Sequence, residues 1–124
     1  MTTDSSLPAS PLPAEATLLR IFIGDKDCYG HQPLYEAIVL KARELHLAGA
    51  TVLKSPMGFG QNSRLHTAKI LQLSTDLPMV IEIVDEPEKI RAFLPMLDEM
   101  MDGGLVTLEK VQVIHYRPHQ ERNA

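Results

Sequence analysis

Hydrophobic residues recur with two different periods along this chain, and the order in which the periods alternate sets the fold. In TLLRIFIG (17 to 24), Leu19, Ile21 and Ile23 alternate with Leu18, Arg20 and Phe22, the two-residue period of a strand with one well-buried face. After the polar DKDCYGHQ, the stretch PLYEAIVLKARELHLAG shifts to helical spacing through Leu34, Ile38, Ala42 and Leu45. Pro33 suits the first helical position there, and Gly49 a left-handed cap. ATVLKS (50 to 55) and LPMVIEIV (77 to 84) return to strand chemistry, the second as the β-branched run of an interior strand. AKILQLST between them fits either a helix or an extended segment, with the extended form favoured. Asp85 predicts a helix cap with Glu88 as its acidic third position and Pro87 in the first turn. The helix it leads has the apolar stripe Ile90, Phe93, Leu94, Leu97 and Met101. Pro95 predicts a bend or loosening, because its ring opposes the carbonyl of Arg91. Gly103 and Gly104 break that helix, and LVTLEKVQVIHY supplies the last strand.

The resulting order is βαββαβ. Each strand-helix-strand unit takes a right-handed crossover, so the compact solution is an α+β, ferredoxin-like sandwich: a four-stranded antiparallel sheet with both helices on one face. The alternate residues Leu18, Phe22, Val80, Val84, Ile114 and Tyr116 leave the other face substantially apolar, more than a soluble monomer exposes. Self-association through closed rotational symmetry covers such a face without a second domain.

Composition narrows the function classes. At 124 residues, with 44% hydrophobic and 23% charged, the chain makes one ordinary domain that needs no disulfide or metal for its core. The expected organisation is a tail over residues 1–16, rich in Pro, Ser, Thr and Ala, a domain over 17–116 and a polar tail over 117–124. A net charge of −4 argues against a nucleic-acid partner, so any anion site is local. With one cysteine, Cys28, the chain has no internal disulfide framework, which fits a reducing cytosol. Neither a signal peptide nor a membrane span is expected, and the protein reads as cytoplasmic.

The stretch KSPMGFGQNSRLHT (54 to 67) spends far more residues than a hairpin needs. Gly58 and Gly60 admit backbone geometries that allow consecutive amides to form an anion nest, with Lys54, Arg64, His66 and Lys69 near enough in sequence to add charge. Equally, it reads as a surface loop whose glycines merely turn. Gly103 and Gly104 have the same two readings, a helix terminus or, with Thr107, a backbone anion site. Of the five histidines only His115 and His119 stand at HxxxH spacing, with Pro118 between them, so a zinc site would need further ligands brought together in space. Asp25 and Asp27 read as a solvated turn rather than a cation site, and no catalytic constellation stands out.

Over residues 18 to 114 the chain resembles the family known as domain of unknown function 190. IGDKD, PLYEAIV, GATVLKSPMGFG, SRLHTAKIL, LPMVIEIVD and GGLVTLEKV occur in the family's order. That family is similar to the PII-like signalling proteins, ferredoxin-like subunits that form homotrimers and, in the better-known members, bind adenine nucleotides in clefts between subunits. The resemblance implies that Gly58, Phe59 and Gly60 match the GFG run of the PII T-loop, with Gln61 or Asn62 for its following amide. It implies likewise that Gly103 and Gly104 match the PII B-loop. Leu105 stands where PII proteins carry a phosphate-binding lysine, and the paired arginines near the PII C-terminus reduce to Arg117. The implied ligand is therefore a small anionic metabolite, smaller or less charged than a triphosphate, or an adenine nucleotide held by Lys54, Arg64 or His66. The expected function is a PII-like regulator with no certain cofactor, signalling through residues 55–68 to a protein target such as a membrane transporter or channel. The alternatives are a small cleft enzyme acting on a phosphorylated or nucleotide substrate with His66 or His31 as acid or base, and a divalent-metal-handling trimer.

Overall fold

A computed structural model of the chain describes residues 14–58, 66–67 and 77–117. Four strands and two helices form the domain: β1 (Glu15–Gly24), α1 (Leu34–Glu44), β2 (Thr51–Lys54), β3 (Pro78–Asp85), α2 (Pro87–Met100) and β4 (Leu105–Gln112). The sheet order is β2-β3-β1-β4, antiparallel throughout, which is the ferredoxin-like arrangement. β1 begins at Glu15 because Glu15 and Ala16 pair with Gln112 and Val111. The rest of the expected tails, residues 1–13 and 118–124, and the stretch AKILQLST lie outside the described residues.

Alternation along the central strands sorts the two faces. Leu19, Ile21 and Ile23 of β1 and Met79, Ile81 and Ile83 of β3 pack in one core with Leu34, Ala37, Ile38 and Ala42 of α1 and Ile90, Phe93, Leu97 and Met100 of α2. Leu19, Ile21, Ile81, Ile83 and Phe93 are exposed by no more than 1%, and each such burial contributes about 1.5–3 kcal/mol. Met100 is in the core, while Leu94 and Met101 of the expected stripe pack partly buried against it.

Three local expectations are corrected. Pro33 is the cap of α1 rather than its first residue, with φ −57° and ψ 136°; the amide of Leu34 instead donates to the carbonyl of Asp27 at 2.8 Å. The left-handed residue after α1 is His46, at φ 62°, not Gly49. Asp85 does not cap α2, whose N-cap is Glu86. Asp85 ends β3 on the covered face, 1% exposed, where its carboxylate accepts from the amides of Ala48 at 2.8 Å and Glu86 at 2.7 Å. A buried carboxylate is tolerated only with such partners. α2 continues from Pro87 to Met100 with Pro95 inside it.

Candidate functional site

Antiparallel order brings the ends of β1 and β2 and the starts of β3 and β4 to one end of the sheet. The loop after β1 is built by its two aspartates. Asp25 exchanges hydrogen bonds with Leu77: its amide donates to the Leu77 carbonyl at 2.8 Å, and its Oδ1 accepts from the Leu77 amide at 3.0 Å. Oδ2 of Asp25 receives Lys54 Nζ at 3.1 Å. Asp27 Oδ2 accepts from the Gly24 amide at 3.0 Å. The DKD turn is therefore a structural clasp rather than a solvated turn, with the Asp25 side chain 14% exposed.

On the β2 side, the Ser55 amide donates to the Pro78 carbonyl at 2.9 Å, holding the start of the long connection against β3. Ser55 Oγ donates to the Met57 carbonyl at 2.6 Å. Met57 and Gly58 then pair with Thr67 and His66, so the connection leaves the sheet as a two-stranded ladder. A Cβ on Gly58 would stand 2.8 Å from Pro78 Cγ; glycine is required here by close approach. Phe59, Gly60, Gln61, Asn62 and Arg64 lie outside the described residues, and His66 is described by its backbone pairing alone.

On the β4 side, α2 ends at Met100 with Met101 already extended, at φ −104° and ψ 131°. Gly104 takes φ +114°. Gly103 and Gly104 border an open groove of about 650 Å³ between α2 and β4, walled by Arg91, Leu94, Asp98 and Val106. Thr107 sits opposite Arg20 on the uncovered face, and Arg117 is exposed beyond the far end of β4, where the Val113 amide is tied to the Ala14 carbonyl.

Lys54 and Gly58 thus belong to one edge of the sheet, Gly103 and Gly104 to the other. Three interstrand spacings separate β2 from β4, about 14 Å. Across the uncovered face the register lines up Leu53, Val80, Phe22 and Leu105 as one apolar row through all four strands. Leu53 and Leu105 are 50% and 55% exposed. The neighbouring row is polar: Thr51, Glu82, Arg20 and Thr107. Arg20 Nε donates to Glu82 at 2.8 Å and Nη1 to Glu109 at 3.4 Å. The hydrogen bond to Glu82 raises the Arg20 pKa above its ordinary value, against an opposing desolvation. Sequence reading missed this pair, although alternation places Arg20 and Glu82 on one face.

Among the described residues no group of three His, Cys, Asp or Glu side chains could hold a metal ion. Cys28 is exposed and donates weakly to the Lys26 carbonyl at 3.5 Å.

Residues 16–113 match the family model for domain of unknown function 190, described as Uncharacterized ACR, COG1993. The chain belongs to this family. A DUF190 relative, a UPF0166 protein of Aquifex aeolicus, is 40% identical over 98 residues, covering 79% of this chain and 92% of the relative. A UPF0166 protein of Methanocaldococcus jannaschii is 31% identical over 100 residues, covering 80% and 92%. Among solved structures, the DUF190 chain is similar to CPII, a nitrogen regulatory PII-like protein from Thiomonas intermedia K12 bound to ADP, AMP and bicarbonate. The TM-score is 0.54 at 16% identity, over 80% of this chain and 88% of that one. CPII bound to ADP and bicarbonate gives a TM-score of 0.53 at the same identity and coverage. At that identity the likeness carries the fold alone: this chain shares its ferredoxin-like fold with CPII. No helix among the described residues is long and apolar enough to cross a membrane.

Proposed function

We propose that this DUF190 protein is a cytoplasmic PII-like regulator. It binds a small anionic metabolite, an adenine nucleotide foremost, in clefts between copies of the chain and signals to a protein target through the connection at residues 55–68. The observation that carries this reading is the division of the two glycine segments between opposite edges of one sheet end. A single subunit does not close both round a guest. A homotrimer that covers the apolar row Leu53, Val80, Phe22 and Leu105 joins the β2 edge of one copy to the β4 edge of the next, and the cleft between them contains Gly58 from one side and Gly103 and Gly104 from the other. Lys54, Arg64 and His66 supply positive charge, with Phe59, Gly60, Gln61 and Asn62 contributing backbone and amide donors; Thr107 and Arg117 border the assembled site. That the PII-like neighbour CPII binds ADP, AMP and bicarbonate supports the choice of ligands.

The test combines sedimentation velocity with calorimetric titration of ADP, AMP and ATP. The expected result is a trimer that binds at least one of them saturably, with weaker binding in Gly60→Val and Arg64→Ala. A ligand present at a hundred times its Kd adds about 2.7 kcal/mol of stability, so thermal shift across a metabolite panel reads the same event. A monomer in solution, or a trimer with no shift across the panel, overturns the reading.

A further inference from the structure

Asp25 touches both ends of the long connection. Its Oδ2 holds Lys54 Nζ at 3.1 Å, at the last residue of β2, and its Oδ1 holds the amide of Leu77 at 3.0 Å, where the connection rejoins the sheet. The two partners of the ion pair are unequal. The carboxylate is pinned by its bonds to Leu77 and is 14% exposed, whereas the Lys54 side chain is 56% exposed and rides on a flexible stem.

We propose that Asp25 is a built-in competitor for the anion that the candidate site takes: it occupies Lys54 when the site is empty, and a phosphate-bearing ligand must draw Lys54 away from it. This inference rests on the reading above. An exposed ion pair is weak, so exchanging it costs little. A phosphate offers more charge and more acceptor oxygens than the carboxylate and wins the ammonium. A singly charged anion does not, because the fixed carboxylate a few ångströms away repels it and Lys54 gains nothing by moving. Asp25 thereby selects for doubly charged phosphate. Once Lys54 leaves, the carboxylate that accepts from the Leu77 amide has exchanged a partner, and that amide reports the event.

The experiment titrates inorganic phosphate and ADP into the full-length protein and into Asp25→Asn, Lys54→Gln and the double variant, followed by calorimetry and by amide resonances in NMR. Asparagine keeps an acceptor for the Leu77 amide while removing the charge, and a wild-type-like melting transition verifies that the fold is kept. The expected result is about five- to tenfold tighter phosphate binding in D25N, weak binding in K54Q and in the double variant, and a shift of the Leu77 amide on saturating the native protein with phosphate that K54Q lacks. Phosphate affinity in D25N equal to or below that of the native chain, or an unmoved Leu77 amide, overturns the proposal. Native-like ADP affinity in K54Q also overturns it while leaving the ligand site itself standing; no binding of phosphate or ADP to any of the four proteins removes both.

Discussion

A Cβ on Gly104 would stand 2.6 Å from the backbone carbonyl oxygen of Phe22. That oxygen belongs to the central strand and cannot retreat without disturbing the pairing of Phe22 with Leu105 and Val80. Gly104 also holds φ +114°, so a side chain is opposed twice, by space and by backbone conformation. Gly104→Ala is expected to lose about 2–3 kcal/mol and to lower the melting midpoint by on the order of 10 °C. Gly103→Ala, with nothing within 4 Å of the added carbon, stays within about 0.5 kcal/mol. Urea unfolding of the two variants checks the contrast, and equal losses would show that the turn is not built as described.

Asp85 gives a second stability prediction. Asp85→Ala strands the amides of Ala48 and Glu86 and costs about 2–3 kcal/mol. Asp85→Asn retains one acceptor oxygen and costs less. The denaturant midpoint should fall in that order while the slope with denaturant is unchanged.

The uncovered face tests the trimer proposed above. Phe22→Glu puts a charge in the middle of the apolar row, between Val80 and Leu105, in a position that stays solvated only in a separate subunit. Sedimentation velocity is expected to find this variant as a monomer with native-like circular dichroism. An assembled Phe22→Glu protein would mean that copies meet elsewhere.

Gly58 tests the ladder at the base of the connection. Gly58→Ala forces the Pro78 ring aside, the contact being 2.8 Å, and costs about 1 kcal/mol. Because Pro78 also receives the Ser55 amide, amide exchange at Ser55 should quicken in this variant while exchange at Ile81 and Ile83 stays native-like.

The central fold was legible because alternation in β1 and β3 is strict: Leu19, Ile21, Ile23 and Met79, Ile81, Ile83 leave little freedom of register. The ends of elements were less legible. Gly49 is the conventional stop for α1, yet the chain turns left-handed at His46, where the Leu47 amide donates back to the Ala42 carbonyl at 3.0 Å; Asp85 then captures the amide of Ala48, a contact from another strand that local chemistry does not disclose. The same alternation, carried one step past Ile83, puts Asp85 on the covered face; the cap-like context of Asp85, Pro87 and Glu88 outweighed it. In the candidate site, the glycines at 58 and 104 announced themselves through composition, whereas the clasp made by Asp25 is a meeting of residues 25, 54 and 77 that no spacing reveals. Arg20 and Glu82 were hidden in the same way, each unremarkable in its own strand.

β1 is the first strand of the sheet to be synthesised and the one most dependent on residues made later. Its hydrogen-bonding edges are filled by β3 on one side and β4 on the other, so both neighbours are still unmade when Leu19, Ile21 and Ile23 leave the ribosome. The last partner, Leu105–Gln112, is made only after α1, β2, β3 and α2. Non-local pairing of this kind is slow to form, and a strand with bare edges invites the wrong partner meanwhile. A chain that stalls before residue 105 therefore presents an apolar ribbon with one edge open, and β1 is closed on both sides only when its final partner docks.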